Sequence, residues 1–174
     1  MFDFYHYSGK SIPEYFVMML FRKTVVANEP VVNYKPFSNS QMGRGLLFSG
    51  VTTKCGQEIL FMTSHLESMK EYGQARVEQL HHCFDFMTGL IKTSNLEKFK
   101  DAWERCGKDV NKKFTWDLVK NDNKSFGGGF KPRCRFDRVF ITASLQIENF
   151  ELVGTEKIGS KFISDHFGIS FNCL

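Results

Sequence analysis

Apolar and polar residues alternate along the first third of the chain in a way that predicts short strands. Residues 15–22 are almost wholly apolar, which is typical of a strand central to a sheet. Residues 46–52 and 58–63 are two further apolar runs, and they flank a short turn that contains Gly56. Because glycine at a tight turn favours a hairpin, these two runs are predicted to be adjacent antiparallel strands.

Helical spacing replaces this alternation after residue 70. Apolar side chains then recur every three or four positions, at Tyr72, Ala75, Val77, Leu80, Cys83, Phe84 and Met87. Residues 96–104 predict a second helix, which Gly107 ends. The polar residues 64–68 therefore lie at the junction between a strand and the first helix.

Strand patterns return in the last third of the chain. Strands are predicted at 135–141 and 145–153 and, finally, at 162–171. Residues 120–131, rich in Asn and Gly, predict a loop that cannot pack a core. Antiparallel strand pairs interspersed with helices predict the α+β class, in layers with two sheets.

The last predicted strand carries a titratable pair, Asp165 beside His166, between apolar residues. This placement puts both groups at the mouth of a buried strand. Burying a charge without a partner costs several kcal/mol, so a fold keeps such a pair only where partners satisfy it or chemistry uses it. The pair therefore indicates a candidate site.

Composition limits the class of protein. With 174 residues and 42% hydrophobic residues, the chain is predicted to form a single domain over residues 1–174. Its net charge of +4 permits a polyanionic partner without requiring one. The five cysteines form no Cys-x-x-Cys pair, which favours a reduced intracellular compartment. No secretory signal and no stretch of about 20 apolar residues is present, so neither secretion nor a membrane partner is expected.

Four polar groups occur at the ends of apolar strands: His65, Asp137, the pair Asp165-His166, and Trp116-Asp117. Attack on a phosphodiester would need such groups. An imidazolium can neutralise charge on phosphoryl oxygens, a carboxylate can hold that imidazole in one tautomer, and a second carboxylate can take a proton from the attacking water. The four groups are predicted to share one site.

Simpler interpretations of the same residues remain open. His65 is also suited to capping the helix that follows it or to satisfying backbone groups. Asp137 is also suited to pairing with a neighbouring arginine on a sheet face. Trp116 and Phe136 are aromatic residues of the kind that most often pack in a core. A nucleotide stacked on them is the alternative.

Four strings of residues resemble the endonuclease/exonuclease/phosphatase superfamily in their order and spacing, and the resemblance runs from about residue 16 to the end of the chain. The strings are Thr63-Ser64-His65-Leu66-Glu67-Ser68, Thr115-Trp116-Asp117, Arg135-Phe136-Asp137-Arg138 and Ser164-Asp165-His166. They are most similar to the members that hydrolyse the bond between a tyrosine and a 5′ DNA phosphate. The resemblance implies a four-layer α/β/β/α sandwich and a divalent metal, Mg²⁺ or Mn²⁺. It also implies DNA with 5′-phosphotyrosyl ends, such as topoisomerase adducts, as the partner of a monomeric repair enzyme.

The resemblance also implies roles for the matching residues. His65 and His166 would contact the scissile phosphate, Asp137 would orient His166, and Asp165 would be the catalytic carboxylate. Ser68 would add a contact to the phosphate. The terminal nucleotide would pack against an apolar wall made of two side chains, Trp116 and Phe136.

Some features of the superfamily have no counterpart in this sequence. The members carry an Asn and a metal-binding Glu before the region that matches Phe16, and later an apolar strand that closes in Gly-Asp-x-Asn. Here Asn95 is the one remnant of that later motif. The principal metal ligands are therefore expected to be absent. Because Mg²⁺ needs near-octahedral oxygen ligands, the chain is expected to be a partial domain that binds Mg²⁺ weakly and hydrolyses its substrate slowly.

Three functions follow from these observations. The leading hypothesis is a metal-dependent 5′-phosphotyrosyl phosphodiesterase of DNA repair, located in the nucleus and also in the cytoplasm. The second is a non-catalytic nucleic-acid-binding remnant that retains its aromatic wall and basic residues, namely Trp116, Phe136, Lys131, Arg133 and Arg138. The third is another phosphodiesterase or endonuclease of the superfamily, acting on phosphoinositides or abasic DNA.

Overall fold

The structure is a computed structural model that describes residues 16–90 and 99–174, together with the strand Phe4–Tyr7. Helices and strands are mixed along the chain, and the α+β class predicted from the sequence is confirmed. The chain divides into two units, Met1–Lys92 and Thr93–Leu174, which are described in turn. Whether residues 1–174 act as a single domain stays a prediction.

The described residues of the first unit form two antiparallel sheets. Strand β1 (Phe4–Tyr7) pairs with β2 (Met19–Arg22). Strands β3 (Asn33–Pro36), β4 (Gly45–Thr52) and β5 (Glu58–Ser64) form a three-stranded sheet in that order. The register Leu46 to Ser64 and Thr52 to Glu58 confirms the predicted hairpin.

The strand predicted at 15–22 is shorter than expected and is not central. Residue 15 lies outside the described residues, residues 16–18 are not in a strand, and β2 belongs to a two-stranded sheet. Met19 and Phe21 are buried with Val26, Leu47 and Val51, whereas Leu20 is exposed. One face of β2 is buried and the other is exposed, although apolar residues occupy both. The apolar run therefore wrongly predicted a strand buried on both faces.

The predicted first helix is confirmed. A 3-10 turn (Lys70–Tyr72) leads into α1 (Gly73–Leu90), and Gln79 is the buried residue of this helix. Its side-chain oxygen accepts a hydrogen bond from the backbone N–H of Glu67 at 2.8 Å. The helix is therefore tied to the end of the hairpin by a polar contact as well as by apolar packing.

The second unit is built from short elements. They are β6 (Lys100–Asp101), α2 (Ala102–Arg105), β7 (Trp116–Asp117), β8 (Arg133–Cys134), β9 (Phe140–Ile141), β10 (Ile147–Val153) and β11 (Gly168–Cys173), with 3-10 turns at Val110–Lys112 and Gly127–Gly129. The antiparallel pairs are β6 with β9, β7 with β8, and β10 with β11. Buried apolar residues of this unit include Ala102, Leu118, Ile141, Phe150 and Phe167.

Three predictions for the second unit need correction. The helix expected at 96–104 is reduced to α2, because residues 100–101 pair with β9, while residues 96–98 and Asn95 lie outside the described residues. The strand expected at 135–141 is confined to its last two residues. The strand expected at 162–171 begins only at Gly168.

Two negative findings concern the described residues alone. All five cysteines fall within them and none forms a disulfide. No helix in this part of the chain combines the length and the apolar character needed to cross a membrane.

Candidate active site

Asp137 and His166 form the centre of the candidate site. His166 Nδ1 lies 2.6 Å from Asp137 Oδ2, so the hydrogen bond expected from the sequence is present. A carboxylate can only accept, which places the shared proton on Nδ1 of the imidazole. The other ring nitrogen, Nε2, is thereby left for a substrate. The alternative in which Asp137 pairs with a neighbouring arginine is wrong, because Arg135 and Arg138 both bind Asp101.

The contact changes the pKa of both groups. The hydrogen bond to Asp137 raises the pKa of His166, and this effect outweighs the opposing effect of burial. Burial alone would raise the pKa of Asp137, but the hydrogen bond and charge of His166 together hold it below its ordinary value. The pair is therefore biased towards an imidazolium beside a carboxylate.

A bend, rather than a strand, carries Asp165 and His166. Ser164 Oγ accepts a hydrogen bond from the backbone N–H of His166 at 3.1 Å, which closes a tight local turn. The expected placement at the mouth of a buried strand is therefore wrong in detail. Both side chains lie just before β11 and are partly buried.

Two asparagines hold this bend from a distance, and no sequence pattern predicted their role. Asn121 Nδ2 donates to the carbonyl of Ser164 at 2.9 Å. Asn123 Nδ2 donates to the carbonyl of Phe162 at 2.8 Å, and its Oδ1 accepts from the backbone N–H of Phe162 at 3.1 Å. The segment 120–131 was predicted as a loop without a core role, yet Asn121 is only 1% exposed.

Asp165 is paired with a lysine from the same segment. Lys124 Nζ lies 2.7 Å from Asp165 Oδ2. Burial alone would raise the pKa of Asp165, but the ammonium of Lys124 keeps it below its ordinary value. Asp165 is therefore held ionised, next in sequence to the imidazole.

Aromatic rings form a row that reaches the imidazole. The ring centroids of Trp116 and Phe136 are 5.2 Å apart, and those of Phe136 and His166 are 6.2 Å apart. Phe136 is 60% exposed, so the interpretation of this residue as core is wrong. Phe126, which the sequence did not single out, packs edge-on against Trp116 at 6.0 Å. The row presents an apolar surface beside the Asp137 and His166 pair.

Asp117 stabilises local structure and is not available to the candidate site. It is 1% exposed and accepts a hydrogen bond from Arg133 at 2.8 Å. Its Oδ1 also accepts from the backbone N–H of Val119 at 3.0 Å, as in a turn stabilised by an aspartate. One of the four polar groups predicted to share a site is thus explained by local structure.

His65 and Ser68 belong to the first unit, directly after β5. His65 is exposed, and its Nδ1 lies 2.7 Å from the carbonyl oxygen of Leu66. This contact is not a helix cap, but it agrees with the interpretation in which His65 satisfies a backbone group. Between them, Glu67 is 1% exposed and accepts a hydrogen bond from Ser40 Oγ at 2.6 Å. The expected convergence of His65 with Asp137, Asp165 and His166 stays a prediction.

The described residues do not form a metal site. Across residues 16–90 and 99–174, no group of three or more His, Cys, Asp or Glu side chains is placed to hold a metal ion. The described residues therefore do not fit the divalent metal that the sequence resemblance implies. The reaction steps considered below therefore use only the side chains of this chain.

Comparison with known proteins decides the family. No family model matches the chain. Tyrosyl-DNA phosphodiesterase 2 of Danio rerio is 33% identical in an alignment 159 positions long, gaps included, which covers 76% of this chain and 42% of that protein. The 5′-tyrosyl-DNA phosphodiesterase of Caenorhabditis elegans is 32% identical in an alignment 188 positions long, gaps included, which covers 95% of this chain and 50% of that protein.

The chain belongs to the tyrosyl-DNA phosphodiesterase 2 family.

Solved structures of this family agree with the assignment. The crystal structure of tyrosyl-DNA phosphodiesterase 2 from C. elegans matches 95% of this chain and 56% of that chain, with a TM-score of 0.82 and 28% identity. The D. rerio protein, crystallised with a single-strand DNA product, matches 98% of this chain and 76% of that chain, with a TM-score of 0.83 and 29% identity. The chain spans about half the length of the curated relatives it matches.

Proposed function

We propose that this chain hydrolyses the phosphodiester bond between a tyrosine and the 5′ phosphate of DNA, in the repair of topoisomerase adducts. The observation that carries the proposal is the 2.6 Å hydrogen bond between Asp137 and His166, beside an exposed aromatic row. Membership of a family whose members are named as tyrosyl-DNA phosphodiesterases supports the choice of bond. The single-strand DNA product bound to the D. rerio relative supports DNA as the substrate.

His166 stabilises the charge that grows on the phosphoryl oxygens. Asp137 fixes Nδ1 as a donor, so Nε2–H points away from the carboxylate and towards the phosphate. Because the pKa of His166 is raised, a larger share of the imidazole is protonated near neutral pH than for a free histidine. His65 and Ser68 add contacts to the same phosphate in this proposal.

Asp165 takes the proton from the attacking water. The water oxygen forms a bond to phosphorus as the bond between phosphorus and the tyrosine oxygen breaks. The proton passes to the Asp165 carboxylate, tyrosine leaves as phenolate and takes a proton from solvent, and the DNA keeps its 5′ phosphate. A phenol has a pKa of about 10, so its anion leaves without strong assistance from a general acid.

The aromatic row binds the terminal nucleotide. Trp116 and Phe136 offer two ring faces at a tilt of 38° beside His166, and stacking a base on such a face is worth about 1–3 kcal/mol. This binding needs no particular base, because every base has a stacking face. The proposed substrate is therefore defined by its 5′ end rather than by its sequence.

The proposal extends to features that accompany the family resemblance. They are the four-layer α/β/β/α sandwich, a monomeric state, and a nuclear location with a second pool in the cytoplasm. No step above is routed through the divalent cation, Mg²⁺ or Mn²⁺, that the resemblance implies, since the described residues offer no group of ligands for it.

Tyrosine release from a defined oligonucleotide tests the proposal. The purified chain is incubated in excess over single-stranded DNA that carries a 5′-phosphotyrosine, with Mg²⁺, with Mn²⁺ or with EDTA. The matched control is the same oligonucleotide with the tyrosine on its 3′ phosphate. We expect release from the 5′ substrate only. Equal release from both substrates, or no release above the buffer background, would contradict the proposal.

A further inference from the structure

Thr115 lies directly before β7 and is almost completely buried, with 1% of its surface exposed. A buried hydroxyl is nearly always hydrogen-bonded, because an unpaired one loses its hydration without compensation. Here Thr115 Oγ1 accepts a hydrogen bond from the backbone N–H of Asp137 at 3.0 Å. The Thr115 hydroxyl therefore binds the backbone of Asp137, which lies 22 positions later in the chain and orients His166.

The backbone of Thr115 reaches the other member of the pair. Its carbonyl accepts a hydrogen bond from the backbone N–H of Phe167 at 2.7 Å. Phe167 directly follows His166 and is 2% exposed, so this contact anchors the end of the bend that carries the imidazole. One residue thus binds the segments of both Asp137 and His166.

The contacts close a circuit. It runs from Thr115 Oγ1 to Asp137, through the 2.6 Å bond to His166, on to Phe167, and back to the Thr115 carbonyl. Regular structure does little to hold this geometry, because Asp137 and His166 both lie outside strands. The relative placement of the two side chains then depends on such individual contacts.

We infer that Thr115 is a positioning residue, whose buried hydroxyl and carbonyl together hold Asp137 and His166 at hydrogen-bonding distance. The inference rests on the proposed function of the same site. It adds to that site a residue that contacts neither the substrate nor the reacting atoms. The hydroxyl is the decisive atom, since valine keeps the shape of threonine and removes its hydrogen bond. Serine keeps the hydroxyl and removes only the methyl group.

A histidine titration tests the inference without any need for activity. The imidazole resonances of His166, identified by comparison with His166→Ala, are followed by NMR against pH in the wild type, Thr115→Val and Thr115→Ser. In Thr115→Val, we expect the pKa of His166 to fall towards its ordinary value of about 6.5, because Asp137 is no longer held beside it. Thr115→Ser should keep the wild-type pKa. Thr142→Val is the matched control, since Thr142 contacts Ser144 and lies outside the circuit.

A wild-type pKa in Thr115→Val would overturn the inference, and so would a pKa in Thr115→Ser that falls as far as in Thr115→Val. If Thr115→Val does not fold, the serine variant and the amide exchange of the wild type decide. Protected amides at Asp137 and Phe167 support the circuit, whereas exchange at the rate of an open loop contradicts it.

Turnover of the 5′-phosphotyrosyl oligonucleotide supplies a second readout. A displacement of about 1 Å in a catalytic group can cost about 100-fold in rate, so we expect kcat to fall at least tenfold in Thr115→Val, with KM changed less than threefold. Thr115→Ser should restore kcat, and a valine variant with wild-type kcat would contradict the inference. If the wild type itself releases no tyrosine, the proposed function fails while the titration still decides the role of Thr115.

Discussion

At the scale of single residues, the contact between Asp137 and His166 links the site to pH. His166 is 35% exposed and Asp137 47%, so water screens the pair, and we expect it to add no more than about 1 kcal/mol to stability. Because the pKa of His166 is raised on folding, that contribution is complete below the ordinary pKa and is lost as pH rises through the raised value. Orientation and charge of the imidazole are therefore the main consequences of the contact.

The pH profile of kcat should report this contact. Activity that depends on the imidazolium falls as pH rises through the raised pKa of His166, and Asp137→Asn should move that fall to lower pH. Asp122→Asn is the matched control, because Asp122 pairs with Lys157. A stopped assay at closely spaced pH values measures both. An alkaline limb that does not move in Asp137→Asn would show that Asp137 does not tune His166.

Ser40 is one of the residues of the first unit that hold the loop before α1. Its hydroxyl donates to the buried carboxylate of Glu67 at 2.6 Å and accepts from the backbone N–H of Arg44 at 2.8 Å. Ser40→Ala removes both contacts, so we expect the free energy of unfolding to fall by about 1–3 kcal/mol. Urea unfolding checks this.

Ser38→Ala is the control for this prediction. Ser38 is exposed and lies in the same turn, so its substitution should change the free energy of unfolding by less than about 0.5 kcal/mol. Equal effects of the two substitutions would show that the hydroxyl of Ser40 is not what holds Glu67.

At the scale of elements, the site is carried by irregular segments. Asp137 lies between β8 and β9, and Asp165 and His166 lie in the bend before β11. What keeps the bend in place is a set of side-chain amides from residues 121 and 123, which bond its backbone. A loop fixed in this way can be as well ordered as a strand, because its polar groups are paired.

Substitution of Asn121 tests whether the side-chain amides hold the bend in place. Removal of its amide takes one hydrogen bond from the carbonyl of Ser164, which keeps its contact with Asn123 Nδ2 at 3.1 Å. It also removes the acceptor of the Asn123 N–H, at a side-chain position only 1% exposed. Asn121→Ala should therefore lower stability by about 1–3 kcal/mol and speed amide exchange in the bend. Asn111→Ala, at an exposed position of the same unit, should do neither. Unchanged exchange at His166 in Asn121→Ala would contradict the claim that the Asn121 amide holds the bend.

Local patterns predicted the elements that local contacts stabilise. The hairpin of β4 and β5 needs only alternation and a glycine turn, and α1 needs only helical spacing, so both follow from neighbouring residues. The strand expected at 162–171 failed because Asn121, more than 40 positions away, binds its first half as a bend. The strand expected at 135–141 failed for a similar reason, since Thr115 takes the N–H of Asp137. No periodicity in the sequence reveals such partners.

At the scale of the whole molecule, short strings of residues predicted the family and the type of site, which hydrophobic periodicity did not. Histidine and aspartate at strand ends suggested a phosphodiester site, and the order of four strings suggested the superfamily, which the relatives at 32–33% identity and the TM-scores of 0.82–0.83 bear out. Within the candidate site, the bond between Asp137 and His166 agrees with expectation, whereas the exposure of Phe136 contradicts the interpretation of its ring as core. Asn121, Asn123 and Thr115 were missed, because a buried polar residue that supports a site has no sequence signature of its own.

The central claim is that His166 acts on the transition state while Trp116 binds the nucleotide. The most direct measurement is single-turnover hydrolysis of the 5′-phosphotyrosyl oligonucleotide at a series of protein concentrations, for the wild type, His166→Ala and Trp116→Ala. We expect His166→Ala to lower the maximal rate by about 100-fold or more, with affinity nearly unchanged. Trp116→Ala should weaken binding by about 1–3 kcal/mol, with a smaller effect on the maximal rate. Equal, modest losses of thermal stability in both variants, with rates and affinities unchanged, would contradict the claim.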